Sequence, residues 1–223
     1  MAFGPIMRMK VGDYLIELAP PTKESIQTII SPGLQQASVT KYLNNHFSPT
    51  IEDQIEWYEK TRTAKNQLVW GVWLVGKDNE RTLIGSTALN DIEGEQIMQA
   101  TSGSLIADKQ YWNKGIASAI HKARTWYAFE QRGLTRIKSA VYYGNIASRR
   151  ALEKTGYSLV YVERNVQFID GQFRHMDNLE CLNPAQESWR TWWRGERPPR
   201  LALEARQRTL ESLDWARENV TLL

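Results

Sequence analysis

Apolar residues along this chain recur with two different spacings, and the switch from one to the other marks its elements. Tyr14-Leu15-Ile16-Glu17-Leu18-Ala19 reads as a first strand closed by Pro20-Pro21. Lys23 to Ile30 and Leu34 to Asn44 read as two short helices separated by Ser31-Pro32-Gly33. Thr50 opens another helix, because its hydroxyl can bond the amide of Asp53 while the acids at 52 and 53 suit the positive end of the dipole. Ile51, Ile55 and Tyr58 share one face of it. Leu68 to Val75 and Thr82 to Leu89 are β-rich runs joined by Gly76-Lys77-Asp78-Asn79-Glu80, a hairpin signal, and Met98 to Ala107 is a further strand. A helical pattern then runs to about Arg132, and Leu134 to Tyr142 alternates as a strand. Asn145 reads as the N-cap of a helix that Gly156 stops. Ser158 to Ile169 and Phe173 to Leu182 form a last hairpin around Asp170-Gly171, a favoured turn pair.

Beyond Asn183 the composition changes. Trp189, Trp192 and Trp193 alternate with arginines, and after Pro198-Pro199 a charged helix runs from about Leu201 to Val220, with Leu203, Leu210, Leu213 and Val220 on one stripe. The natural division is therefore a domain over residues 1–183 and a Trp/Arg-rich helical extension over 184–223. That extension packs back on the core, joins a second subunit as a homodimer contact, or covers a binding pocket as a lid.

The chain has 223 residues, 42% hydrophobic and 24% charged, enough for one good core but not for a second full domain. A formal charge of +3 from 28 basic and 25 acidic residues makes no case for nucleic acid as a general partner. The single cysteine, Cys181, excludes an internal disulfide framework and a cysteine-based zinc site. Met1 to Lys10 is short and polar for a signal peptide and no apolar run approaches the ~18 residues of a membrane span, so the expectation is a cytoplasmic chain without membrane attachment.

Two segments carry candidate chemistry. Gln110-Tyr111-Trp112-Asn113-Lys114-Gly115-Ile116-Ala117 follows a strand and opens a helix, with Gly115 and Ala117 leaving the backbone bare at the helix start. Unsatisfied amides and the positive dipole end make such a junction a cradle for a phosphorylated ligand, and Lys114 adds a movable charge. The same eight residues also suit an ordinary strand-to-helix turn. About thirty residues later comes Asn145-Ile146-Ala147-Ser148, opening a short helix that ends in Gly156-Tyr157.

In this order the two motifs resemble the acetyl-CoA-binding core of the GNAT N-acetyltransferases, and within them the branch that includes RimJ and RimL, over roughly residues 12–183. The resemblance implies an α+β fold: a mixed, mostly antiparallel seven-stranded sheet with helices on both faces, two central strands splaying apart around the pantetheine arm. It implies acetyl-CoA as co-substrate and no metal. The backbone of Trp112, Asn113, Lys114, Gly115, Ile116 and Ala117 would hold the pyrophosphate, with Lys114 and Ser118 adding side-chain contacts. Amides near Leu105 and Ile106, on the strand Thr101 to Ile106, would polarise the thioester carbonyl. Asn145 would bond the pantetheine arm, and Ser148 would stand near the leaving sulfur as proton donor.

The chain departs from the family pattern at two points. Leu152 occupies the position where many members carry a tyrosine acid, leaving Ser148, or Tyr157 from further away. Thr101 stands where the branch often has a glutamate, so the base candidates are Asp91, Glu93 and Glu95, or an ordered water. His46, His121 and His175 read as structural. Acceptor contacts are expected from Tyr42, Phe47, Phe168 and Phe173, on Leu34 to Phe47, the loop Asp91 to Gln96 and the hairpin Gln167 to His175. The expected activity is acetyl transfer to a primary amine, either an N-terminal α-amine of a peptide or protein or an amino acid or small amine. The alternatives are a non-catalytic acyl-CoA-binding sensor and an RNA-associated enzyme using Arg190, Arg194, Arg197 and Arg200.

Overall fold

The computed structural model describes residues 2–43, 48–93 and 97–223. Among these, nine strands form one sheet: β1 (Met7–Val11), β2 (Tyr14–Ala19), β3 (Leu68–Val75), β4 (Arg81–Glu93), β5 (Gln99–Ile106), β6 (Arg136–Tyr142), β7 (Ser158–Ile169), β8 (Gln172–Leu182) and β9 (Val220–Leu222). They are ordered β7-β8-β6-β5-β4-β3-β2-β1-β9 and flanked by helices, with β5 and β6 paired in parallel among otherwise antiparallel neighbours such as β2 and β3. The sheet exceeds the expected seven strands by β1 and β9, which pair with each other at one edge. Met7 and Met9 are buried between exposed or half-buried neighbours, the period of a strand, and Gly12 at φ +58° lets the chain double back from Val11 to Tyr14. Three residues at the end of a long helix are too few to show such a period.

The chain divides into two compact units. The first comprises the described residues to Asp91, with Ser102–Ile120 and Asn219–Leu223. Its centre is β3, buried at almost every position and so a strand covered on both faces. Glu17 on β2 is 3% exposed and is held by Arg8 of β1 at 2.7 Å and Arg81 of β4 at 3.2 Å. A carboxylate enclosed this far would be costly without such partners. Between β2 and β3 lie α1 (Ser25–Thr28), an irregular turn Ile30–Leu34, α2 (Ala37–Thr40) and α3 (Ile51–Thr63). The first pieces are shorter than the helices expected over 23–30 and 34–44. Pro32 forces Ser31 out of the helical region to φ −112°, ψ 126°, which breaks the run. The capping box of α3 forms as expected: Asp53 N–H donates to Thr50 Oγ1 at 3.2 Å, and Thr50 N–H to Asp53 Oδ2 at 2.8 Å.

The second unit comprises Ile92–Thr101 and His121–Glu218. It contains the later part of α4 (Ile116–Trp126), together with β6, α5 (Ile146–Thr155), the β7–β8 hairpin, α6 (Gln186–Trp193) and nearly all of α7 (Arg200–Asn219). The helical pattern expected to Arg132 widens after Trp126 into a single π-helical turn, Tyr127–Gln131. On α7 the buried face is Ala205, Thr209, Ser212, Leu213 and Ala216, whereas Leu203 is 45% exposed. Of the expected stripe, Leu213 and Val220 are buried and Leu210 is half-buried, while Leu203 lies outside it. Small residues lie inward because the C-terminus of α5 rests on them: a Cβ on Gly156 would stand 2.0 Å from Thr209 Oγ1 and 2.8 Å from the Ala205 carbonyl oxygen. Trp189 is buried under Arg206, whose guanidinium donates to the Pro184 carbonyl at 2.8 Å, and Trp192 lies under Arg136. These two rings face the chain's own arginines.

Gly156 also stops α5 at φ +109°. Gly156→Ala should lower stability by about 3 kcal/mol through left-handed strain and overlap with α7. Urea unfolding followed by circular dichroism measures it, and a loss under about 1 kcal/mol would contradict the close packing of α7.

Candidate functional site

A β-bulge begins the geometry. Val72 pairs with Gly85 and Trp73 with Leu83, so Ile84 is the extra residue on β4. A Cβ on Gly85 would lie 2.1 Å from the Leu105 carbonyl oxygen, so only glycine lets β5 approach there. The Ile84 carbonyl accepts from the amide of Ala107 at 2.9 Å, and Thr87 Oγ1 donates to the Gly103 carbonyl at 3.1 Å. Leu105 and Ile106 are half-buried on the segment fixed by these contacts.

From that segment the chain enters a short turn, Lys109–Tyr111, capped by Asp108, whose Oδ1 accepts from the Gln110 amide at 3.0 Å. Trp112 Nε1 donates back to the Ile106 carbonyl at 2.9 Å, tying the turn to the end of β5. Asn113 and Gly115 both have positive φ, +60° and +82°, which bends the backbone into a concave run before α4. The first α4 hydrogen bond runs from the Ala119 amide to the Gly115 carbonyl at 3.1 Å, so the amides of Ile116, Ala117 and Ser118 precede it at the positive dipole end. Ile116 is 1% exposed and anchors the turn; Lys114 and Gly115 are exposed, and Ala117 and Ser118 half-buried. The structure thus brings the expected cradle residues Trp112 to Ser118 together with Leu105 and Ile106 in the first unit.

A cavity of about 200 Å³ opens against the same strand. Its walls include Ile26 of α1, Ile29, Leu34, Trp57 of α3, Leu83 and Leu105, with Gln54 and Ser86 as polar contributors. Of the segments expected to shape an acceptor pocket, Leu34 to Phe47 is the only one that contributes among the described residues, through Leu34 and Leu43. Tyr42 is half-buried with the Lys41 ammonium over its ring and is not among the walls. Phe47, His46 and Glu95 lie outside the described residues. Gly85, Gln54, Trp57 and Ser86 escaped the sequence reading. A glycine inside a strand pattern was the available signal for the first; the others meet only after folding. Asp91, at the end of β4, is exposed with φ +51° and is not a cavity wall.

In the second unit, Asn145 caps α5: its side-chain oxygen accepts from the Ser148 amide at 3.3 Å. Both residues are half-buried. Arg149 is held by Glu153 at 2.8 Å and by Asp177, while Leu152 is core, at 1% exposure. Tyr157 is fully enclosed, which removes it as a proton donor to a solvent-facing ligand. Glu93 accepts from Gln99 Nε2 at 2.6 Å, and Gln99 in turn accepts from Arg136 at 2.9 Å. Phe168 and Phe173 pair edge to face at 5.2 Å beside the hairpin turn, 62% and 64% exposed. His175 accepts from the Asn165 amide at 3.1 Å, which fits a structural residue.

The family model described as an acetyltransferase (GNAT) domain matches residues 16–158. The chain is 29% identical over 141 residues to the probable N-acetyltransferase YjcK of Bacillus subtilis, covering 62% of this chain and 76% of that protein. Among solved structures it resembles Mycobacterium smegmatis RimJ in complex with CoA-disulfide, with a TM-score of 0.71 at 16% identity over 99% of this chain and 97% of that one. It also resembles spermidine N-acetyltransferase from Vibrio cholerae in complex with CoA and spermine, with a TM-score of 0.67 at 17% identity over 75% and 95% of the two chains.

Two buried groups lie among the chemistry-bearing residues of the second unit. Burial, reinforced by the neighbouring Arg124, holds His121 well below its ordinary value, so it is a neutral imidazole inside α4. Burial pushes the Cys181 thiol up to about 12, against a smaller opposing effect of its contact with Thr209. A thiol held protonated in this way is a poor nucleophile. Iodoacetamide at pH 8 should therefore leave folded protein unmodified and label Cys181 fully in 6 M guanidinium; rapid labelling of the folded chain, read by intact mass, would contradict this burial.

Proposed function

Since the chain belongs to the GNAT acetyltransferase family and is thus an acyltransferase that delivers to an amine, we propose that its donor is acetyl-CoA. The acceptor is a primary amine, either the N-terminal α-amine of a peptide or protein or that of an amino acid or small molecule, attacking directly in a ternary complex. The observation that carries this reading is the cradle at the start of α4, with Gly115 at φ +82° and the amides of Ile116 to Ser118 ahead of the first helical bond. Such amides at a positive dipole end suit a pyrophosphate, and no side chain at Gly115 crowds the approach: even a Cβ there would meet nothing nearer than Val11 at 3.8 Å.

When bound, acetyl-CoA supplies an acetyl thioester whose C–S bond breaks as the C–N bond forms, the thiolate leaving to be protonated. The chain's part is positional and electrostatic. Trp112 to Ser118, with Lys114, hold the pyrophosphate. The amides of Leu105 and Ile106 face developing negative charge on the carbonyl oxygen, a contribution whose loss elsewhere costs 10²–10³ in rate. Asn145 spends its side-chain oxygen on the helix cap and keeps an amide group for the pantetheine arm. Ser148 donates the proton to the departing sulfur. Asp91 and Glu93 remain the proposed carboxylate bases. An α-amine of pKa about 7.7–8.0 also sheds its proton to water readily at neutral pH.

Acetyl-CoA at 100 times its dissociation constant should stabilise the protein by about 2.7 kcal/mol. Gly115→Glu, which sets a carboxylate against the pyrophosphate, should abolish that stabilisation while Gly115→Ala, sharing the backbone strain, retains part of it. No rise in Tm with wild-type protein would overturn the proposal, and a rise without CoA release from any acceptor would favour a sensor. Ser148→Ala should reduce kcat by about 10²-fold with acetyl-CoA affinity largely intact; an unchanged kcat would remove Ser148 as the proton donor.

A further inference from the structure

Resting on that acyl-transfer reading, we infer that the cavity beside Leu105 receives a compact aliphatic group carried next to the acceptor amine. The acceptor is an α-amine with a leucine-like side chain, not a polyamine. Position is the first argument. Leu105 forms one wall of the cavity and also belongs to the strand whose amides face the thioester, so a group lodged there holds an attached amine beside the reacting carbon. Size is the second. At about 200 Å³ the cavity is smaller than the 300–1,000 Å³ of sites that enclose whole small molecules, and it suits a single side chain.

Chemistry is the third argument. Ile26, Ile29, Leu34 and Leu83 are packed together in one buried core cluster of the first unit, and Leu43 and Leu105 lie against it. None of the described residues lining the cavity is charged. A second ammonium, as in a polyamine, would be desolvated there without a counter-charge. Gln54 and Ser86 offer neutral hydrogen-bonding groups instead, suited to the amide that follows an α-amine. Protonation points the same way: at pH 7.5 about a third of an α-amine of pKa near 7.8 is neutral, against about 0.1% of an alkylamine near 10.4.

The test measures CoA release from acetyl-CoA with leucinamide, glycinamide, spermidine and two pentapeptides that begin with Leu or Gly. Leu-bearing acceptors should exceed their Gly counterparts in kcat/KM by at least about tenfold, and exceed spermidine. Activity with the Leu peptide but not leucinamide identifies a polypeptide source for the same group; activity with both identifies a free amine as sufficient. Trp57→Ala, which opens a half-exposed wall, should lower the leucinamide to glycinamide ratio about tenfold, or the corresponding peptide ratio where only peptides react. Gln54→Glu should shift preference toward spermidine about tenfold. Equal rates for Leu and Gly acceptors, preference for spermidine, no turnover of any probe, or unchanged ratios in both variants would overturn the inference. A rise in Tm with acetyl-CoA alongside any of these leaves the acyl-transfer reading standing; its absence overturns that reading itself.

Discussion

With 2.1 Å between a hypothetical Cβ on Gly85 and the carbonyl oxygen of Leu105, β4 and β5 run at a separation that no side chain permits. The other features of the first unit follow from that approach. The bulge at Ile84 turns its carbonyl toward Ala107, which sets the end of β5. The Ile106 carbonyl then receives the Trp112 indole, and Trp112 opens the turn whose positive φ angles at Asn113 and Gly115 present the first amides of α4. Leu83, Ser86 and Leu105 form one wall of the cavity because they flank the same contact. A single glycine therefore lies beside the end of β5, the turn before α4 and the cavity.

Charge is distributed in a matching way. The deeply buried carboxylate of the first unit, Glu17, lies between Arg8 and Arg81, away from the cavity walls, where it stabilises strand pairing. The cavity itself is neutral among its described lining residues, and Lys114 stands exposed beside the positive dipole end of α4. On the proposed reading, such an arrangement suits a polyanionic donor at one end and an uncharged group at the other.

The C-terminal segment belongs to this economy too. Small residues on α7 let the left-handed stop of α5 rest on it, so the helix that Asn145 and Ser148 open is held at its far end by Ala205 and Thr209. Cys181 sits against Thr209 in the same packing, which accounts for its unreactive thiol. Two of the tryptophans of this segment lie against the chain's own arginines: Trp189 against Arg206 and Trp192 against Arg136.

Local chemistry made much of this legible in advance. Thr50 and Asp53 cap α3, Asp170-Gly171 turns the last hairpin with both residues at positive φ, and Asn145 and Gly156 bound α5, because caps and turns depend on residues a few positions apart. The glycine-bearing turn before α4 could be recognised for the same reason. What folding alone decided involves residues distant in the chain: Gly85 against Leu105, Gly156 against Thr209, β1 beside β9, and a cavity assembled from α1, α3, β4 and β5. Sequence periodicity tells which side of an element is apolar, but not which two apolar sides leave a gap when they meet. The amino-acid sequence by itself determined seven of the strands, the main helices, the glycine-bearing turn before α4 and the family; tertiary structure decided the edge strands β1 and β9, the cavity beside Leu105 and the inward face of α7, because these depend on the distance between elements, which no single segment encodes.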